Sequence, residues 1–129
     1  LRGEQKTVFE SLINAEDFKL KIYGESVVLF NAVNFKEFDA DIYGESQLTV
    51  KKGSIGHQKI TAYGASKVMA SDVISEETKL TAYGDGIFKV NVSEKIKVSS
   101  YGEATVLYKG DAVLKKGIVL GESMIRKVL

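Results

Sequence analysis

A short phrase recurs along this chain at nearly fixed intervals, and it limits the fold more than any other feature. "KIYGES" at 21–26 is followed by "DIYGES" at 41–46, "TAYGAS" at 61–66, "TAYGDG" at 81–86 and "SSYGEA" at 99–104. The glycines are Gly24, Gly44, Gly64, Gly84 and Gly102, and a degenerate sixth copy, "LGES", places Gly121 with Leu120 in the tyrosine position. A repeat of about twenty residues cannot bury its own apolar face, so it must stack on its neighbours.

The residues around each glycine alternate with period two. Phe18, Leu20, Ile22, Gly24, Ser26, Val28 and Phe30 share one parity, while Lys, Asp, Thr, Tyr and Glu fill the other. This is the signature of a strand with one buried face. The pattern predicts that Ile22, Gly24 and Ser26 point inward and form a small-residue corner, with Tyr23 and Glu25 outside. The same corner is expected at Gly44, Gly64, Gly84, Gly102 and Gly121.

The rest of each repeat, "NAVNFKE" at 31–37, "KKGSIGH" at 51–57, "SDVISEE" at 71–77 and "NVSEK" at 91–95, is rich in turn formers. We expect loops there, closing the third side of a triangular coil, with Val33, Ile55, Val73 and Val92 plugging it. The two-residue deletion that shortens one repeat falls in this part. The expected fold is all-β: a right-handed parallel β-helix, or β-solenoid, of about six rungs, forming one domain over 1–129. Antiparallel hairpins would need turn chemistry every 8–12 residues, which the repeat lacks. The absence of proline agrees, since each proline removes a ladder donor.

Composition excludes several function classes. Eighteen basic and 17 acidic residues leave a formal charge of +1, which provides no overall field for nucleic acid or an anionic membrane. With no cysteine, disulfides and thiolate metal sites are excluded. No apolar run is long enough to span a membrane. The chain begins at Leu1 without a visible signal peptide, and we read it as a mature form or an excised domain.

Stacking turns equivalent positions into columns. The outward tyrosines, Tyr23, Tyr43, Tyr63, Tyr83 and Tyr101, are the candidate binding residues. Stacked rings cover apolar area and stabilise the sheet, and an aromatic strip of this size also marks interaction sites. Both readings stand at this point. Beside it runs an acid column, Glu25, Glu45, Asp85, Glu103 and Glu122, interrupted by Ala65. Without a calcium-loop signature, we read this column as solvated acids and expect no metal or cofactor. His57, in "SIGHQ", is the sole histidine and is read as a surface residue in a turn, with no nucleophile beside it. "GDGIFK" lacks the third glycine of a dinucleotide fingerprint. Asn91-Val92-Ser93 fits a glycosylation acceptor, but the turn reading suffices. A polysaccharide-cleaving β-helix would need paired acids in a groove built by long loops, so an enzyme ranks last.

The C-terminal half resembles a known family. "KIKVSSYGEATVLYKGDA", from Lys95 to Ala112, is similar to the repeat of the head GIN domain family, known as auto-transporter adhesins. Tyr108 and Gly110 match its Tyr-x-Gly, and Ala112 stands where proline usually follows. The departure is systematic: Tyr-Gly-Glu-Ser here replaces the family's Ser-Gly-Ser-Gly. Bactofilin-like cytoskeletal solenoids are similar to a lesser degree, with shorter repeats and no Tyr-Gly corner. The resemblance implies a β-helical, non-catalytic module of a secreted, periplasmic or outer-surface bacterial protein. Its expected partners are a glycan or a surface protein. An alternative is a structural solenoid that self-associates through its end rungs, whose strand edges are unpaired.

Overall fold

The computed structural model describes residues 6–128. Its nine strands pair in parallel throughout and form one continuous coiled sheet. Strand β1 (Lys6–Ile22) is the first rung and β2 (Val27–Tyr43) the second. The third rung is split into β3 (Gln47–Val50) and β4 (Gly53–Tyr63). Strands β5 (Lys67–Tyr83) and β6 (Ile87–Tyr101) each make a full rung. The sixth rung is split again, into β7 (Thr105–Lys109) and β8 (Val113–Leu120), and β9 (Met124–Lys127) starts a seventh. The chain is therefore a parallel β-solenoid with a spacing of about twenty residues and no helix among the described residues.

The pairing register is the sequence repeat made physical. Residue 27 pairs with 47, 47 with 67 and 67 with 87, each twenty apart. Between β5 and β6 the offset changes: Ala70 faces Val90, but Glu77 faces Lys95. The shortened repeat is thus absorbed where the sequence placed the deletion. A second irregularity, between Val98 and Ser100, takes up one extra residue of β8 and accounts for the 19-residue step to Gly121.

One expectation is corrected here. The third side of the coil is strand, not loop, because β2, β5 and β6 run unbroken through it. Val33, Ile55, Val73 and Val92 nevertheless fill its interior, each at most 2% exposed. Asparagine, serine and lysine on the outer face of that side reflect solvent exposure, and parallel pairing on both edges overrides their turn preference.

The core is a column of alternate inward side chains, widest at the amino-terminal end. Phe30 stacks on Phe9 at 4.7 Å and meets Phe18 edge-on at 5.7 Å, while Phe18 stacks on Phe35 at 4.8 Å. Further along, the inward position just before each corner tyrosine narrows from Ile22 and Ile42 to Ala62, Ala82 and Ser100, all buried.

Candidate functional site

The repeated corner positions everything on the outer face near it. Gly24, Gly44, Gly64, Gly84, Gly102 and Gly121 all have positive φ, from 82° to 135°. They lie at the bends between strands, and the amide of one corner donates to the tyrosine carbonyl of the next rung. Gly44 N to Tyr63 O, Gly64 N to Tyr83 O and Gly84 N to Tyr101 O are each 2.8 Å. The inward placement expected for these glycines is corrected: Gly24, Gly44 and Gly64 are exposed, and the buried parity is interrupted at the bend. The left-handed turn takes up two residues, glycine and the acid, before the chain dives back in at serine. Room for a side chain is missing as well, since a Cβ on Gly44 would lie 2.6 Å from the Gly24 carbonyl oxygen.

The serines are the inward part of the corner, and their hydrogen-bonding role is not evident in the sequence alone. Ser26, Ser46 and Ser66 are fully buried. Ser46 Oγ donates to the Gly24 carbonyl at 2.8 Å, Ser66 Oγ to Gly44 at 3.1 Å and Ser123 Oγ to Gly102 at 2.8 Å. Each hydroxyl thus ties its corner to the corner before it. A run of Ser at a fixed distance from Gly was the available signal, but it read only as small size.

On the outside, register dictates a tyrosine ladder. Tyr43 pairs with Tyr63, Tyr63 with Tyr83 and Tyr83 with Tyr101. Successive ring centroids from Tyr23 to Tyr101 are 4.8, 4.8, 4.8 and 4.9 Å apart, with planes within 4° of parallel. That spacing is the backbone's own strand separation, so the sheet imposes the ladder. Leu120 continues the column in the sixth rung. Tyr63 and Tyr83 are 38% and 39% exposed, and their hydroxyls have no protein partner among the described residues. The Tyr43 phenol is held above its ordinary value, first by desolvation, then by the Asp41 carboxylate and the neighbouring Tyr63 and Tyr23.

Two further columns share this face with the ladder. Thr61, Thr81 and Ser99 line up beside it, and Lys59, Lys79, Lys97 and Lys115 lie beyond them. The acids Glu25, Glu45, Asp85 and Glu103 are all exposed on the far side of the corner. No group of three His, Cys, Asp or Glu among the described residues could hold a metal ion.

The last feature is a groove of about 430 Å³ that crosses successive rungs and is lined by Phe18, Phe38, Lys59, Lys79 and Lys97, among others. His57 stands on its rim, in β4 rather than in the expected turn, with Nε2 2.6 Å from Glu77 Oε2. The pair joins two consecutive rungs, and the twenty-residue interval between 57 and 77 was the clue to it.

Comparison with known proteins follows the same lines. The match to the family described as "Putative auto-transporter adhesin, head GIN domain" covers residues 1–112. No curated protein matches the chain. A "putative adhesin" from Parabacteroides merdae superposes with a TM-score of 0.95 at 16% identity, covering 99% of this chain and 53% of that one. A "putative adhesin" from Parabacteroides distasonis gives 0.94 at 17% identity, covering 98% and 53%. A "putative lipid binding protein" from the same organism gives 0.83 at 13% identity, covering 99% and 57%. This chain thus spans about half the length of those proteins, and at such identities the likeness is one of fold. With 112 of its 129 residues matched, the chain belongs to the head GIN domain family.

Proposed function

We propose that this chain is a non-catalytic, adhesin-like module of the bacterial cell envelope or surface, and that its tyrosine face binds glycan. The observation that carries the reading is the ladder from Tyr23 to Tyr101, exposed at Tyr63 and Tyr83 and half-buried elsewhere, whose Tyr63 and Tyr83 hydroxyls have no protein partner among the described residues, flanked by Thr61, Thr81 and Ser99. Rings packed 4.8 Å apart leave no room for another ring between them. They present edges and hydroxyls at the rung interval, which suits a polyhydroxylated chain better than a flat aromatic ligand. Family membership supports an adhesive role. The ladder's own column repeats tyrosine, whereas hydrolysis needs an acid and a base set apart by their surroundings.

Binding of immobilised glycans by Tyr43→Ala, Tyr63→Ala and Tyr83→Ala tests the reading. Each substitution removes one hydroxyl and one ring, and a loss of about tenfold corresponds to about 1.4 kcal/mol. If binding survives while the melting temperature falls, the ladder is structural only.

A second reading has its own observation. Val113, Ile118, Leu120 and Met124, at the carboxy-terminal end of the coil, are each more than half exposed. Among the described residues strand β8 pairs only with β6, leaving one edge of backbone donors and acceptors open there. That end is suited to stacking on another rung, either in a second copy or in a protein partner.

A further inference from the structure

The ligand's charge can be read from how this face treats its own. In the first two rungs, opposite charges face each other across the strand pair: Lys19 is in register with Asp39, and Lys21 with Asp41. From the third rung on, the same column carries lysine against lysine. Lys59, in register with Asp39 on one side, faces Lys79 on the other, Lys79 faces Lys97 and Lys97 faces Lys115. Like charges directly opposite each other destabilise a sheet. None of these four lysines forms an ion pair with a carboxylate among the described residues. On the ladder side, Lys59, Lys79 and Lys97 have Thr61, Thr81 and Ser99 as neighbours, and then Tyr63, Tyr83 and Tyr101. From the third rung to the fifth these three columns hold ammonium groups, hydroxyls and tyrosines and no acid, with Glu77 on the outer flank of the lysines and Asp85 and Glu103 beyond the tyrosines.

We infer that this face binds a linear acidic polysaccharide, a polyuronate in chemical class, laid along the solenoid axis over Lys59, Lys79, Lys97 and Lys115. The inference rests on the glycan reading above and specifies its ligand. The four ammonium groups repeat at the rung interval over about 15 Å, so an extended chain with an anion on each sugar meets them in step. Sugar hydroxyls then fall over Thr61, Thr81 and Ser99. The tyrosine ring edges carry the positive end of the ring quadrupole, which also favours an anion. A nucleic-acid strand fits less well. Its bases need open aromatic faces to stack on, and here neighbouring rings cover those faces.

The test uses the whole chain and three polymers: polygalacturonate, neutral dextran and single-stranded DNA. Polygalacturonate is expected to bind and dextran to bind at least tenfold more weakly. The double variant Lys79→Gln/Lys97→Gln should lose at least tenfold in polygalacturonate affinity. Its slope of log affinity against log salt should flatten by about 1.5, as two anion contacts are removed. The same variant should melt no lower than the parent, because it relieves like-charge contacts. Lys67→Gln, on another side of the coil, should leave binding unchanged.

Equal binding of polygalacturonate and dextran, or full affinity in the double variant, overturns the inference. DNA binding more tightly than polygalacturonate replaces it with a nucleic-acid strip. Should a neutral glycan bind, lose affinity with Tyr63→Ala and ignore the lysine changes, the glycan reading stands and only the acidic-ligand inference falls.

Discussion

At the residue scale, the two halves of the Tyr-Gly-acid-Ser corner answer to different physics, and substitution separates them. Gly44 has φ +88°, and a Cβ there would sit 2.6 Å from a backbone oxygen that cannot move aside. Gly84 has φ +105°, but its Cβ would lie 3.3 Å from the equivalent oxygen. Both substitutions to alanine incur the left-handed penalty of an L-residue, about 1–2 kcal/mol. Only Gly44→Ala adds a collision. Chemical denaturation should therefore rank Gly44→Ala as clearly more damaging than Gly84→Ala. Glu45→Ala next door should stay within about 0.5 kcal/mol of the parent. The sequence marked these glycines but placed them inside, because strict alternation cannot show a two-residue turn that suspends it. Tyr43 gives a pH test. Its phenol pKa is raised in the folded chain above the ordinary 10.0, chiefly by desolvation. The folded state thus holds this proton more tightly than the unfolded chain does. The resulting stability is fully present below about pH 10 and is lost as pH rises through the folded value. Thermal melts stepped from about pH 9 upward should show that decline, and Tyr43→Phe should reduce it.

At the element scale, the strands differ in how they were legible. Period-two patterning identifies the inward residues of the long strands, and the sequence places Val33, Ile55, Val73 and Val92 inside without revealing the strands around them. What composition concealed was that the third side is also strand. Turn-forming residues there occupy outward positions in rungs paired on both edges, so tertiary pairing decides. The His57–Glu77 contact was missed for the same reason, since it exists only when 57 and 77 lie on adjacent strands. Strand β2 carries the centre of the aromatic cluster, its Phe30 fully buried and in ring contact with Phe9, Phe18 and Phe38. Phe30→Ala opens a cavity that rigid rungs on both sides cannot close. A loss of about 3–5 kcal/mol is expected, read as a lower denaturation midpoint with an unchanged slope. A marked change in slope would indicate instead that the amino-terminal rungs unfold separately from the rest.

At the scale of the whole molecule, a solenoid is a line of nearest-neighbour contacts, and its stability is set by how each rung is flanked. Strands β4 and β5 have a paired rung on either side, whereas β8 has one only on the side of β6. Amide exchange in dilute solution should accordingly be slowest in β4 and β5 and fast along the open edge of β8, because local opening there breaks fewer contacts. The same edge carries Val113, Ile118 and Leu120 toward solvent. If that end seats another rung, raising the protein concentration must protect β8 while leaving the exchange in β4 and β5 unchanged, and sedimentation must show growing species over the same range. Ile118→Lys should abolish both effects, since it places a charge on the seating surface without entering the core. A chain that stays monomeric, with β8 exchange independent of concentration, would rule out end-to-end assembly.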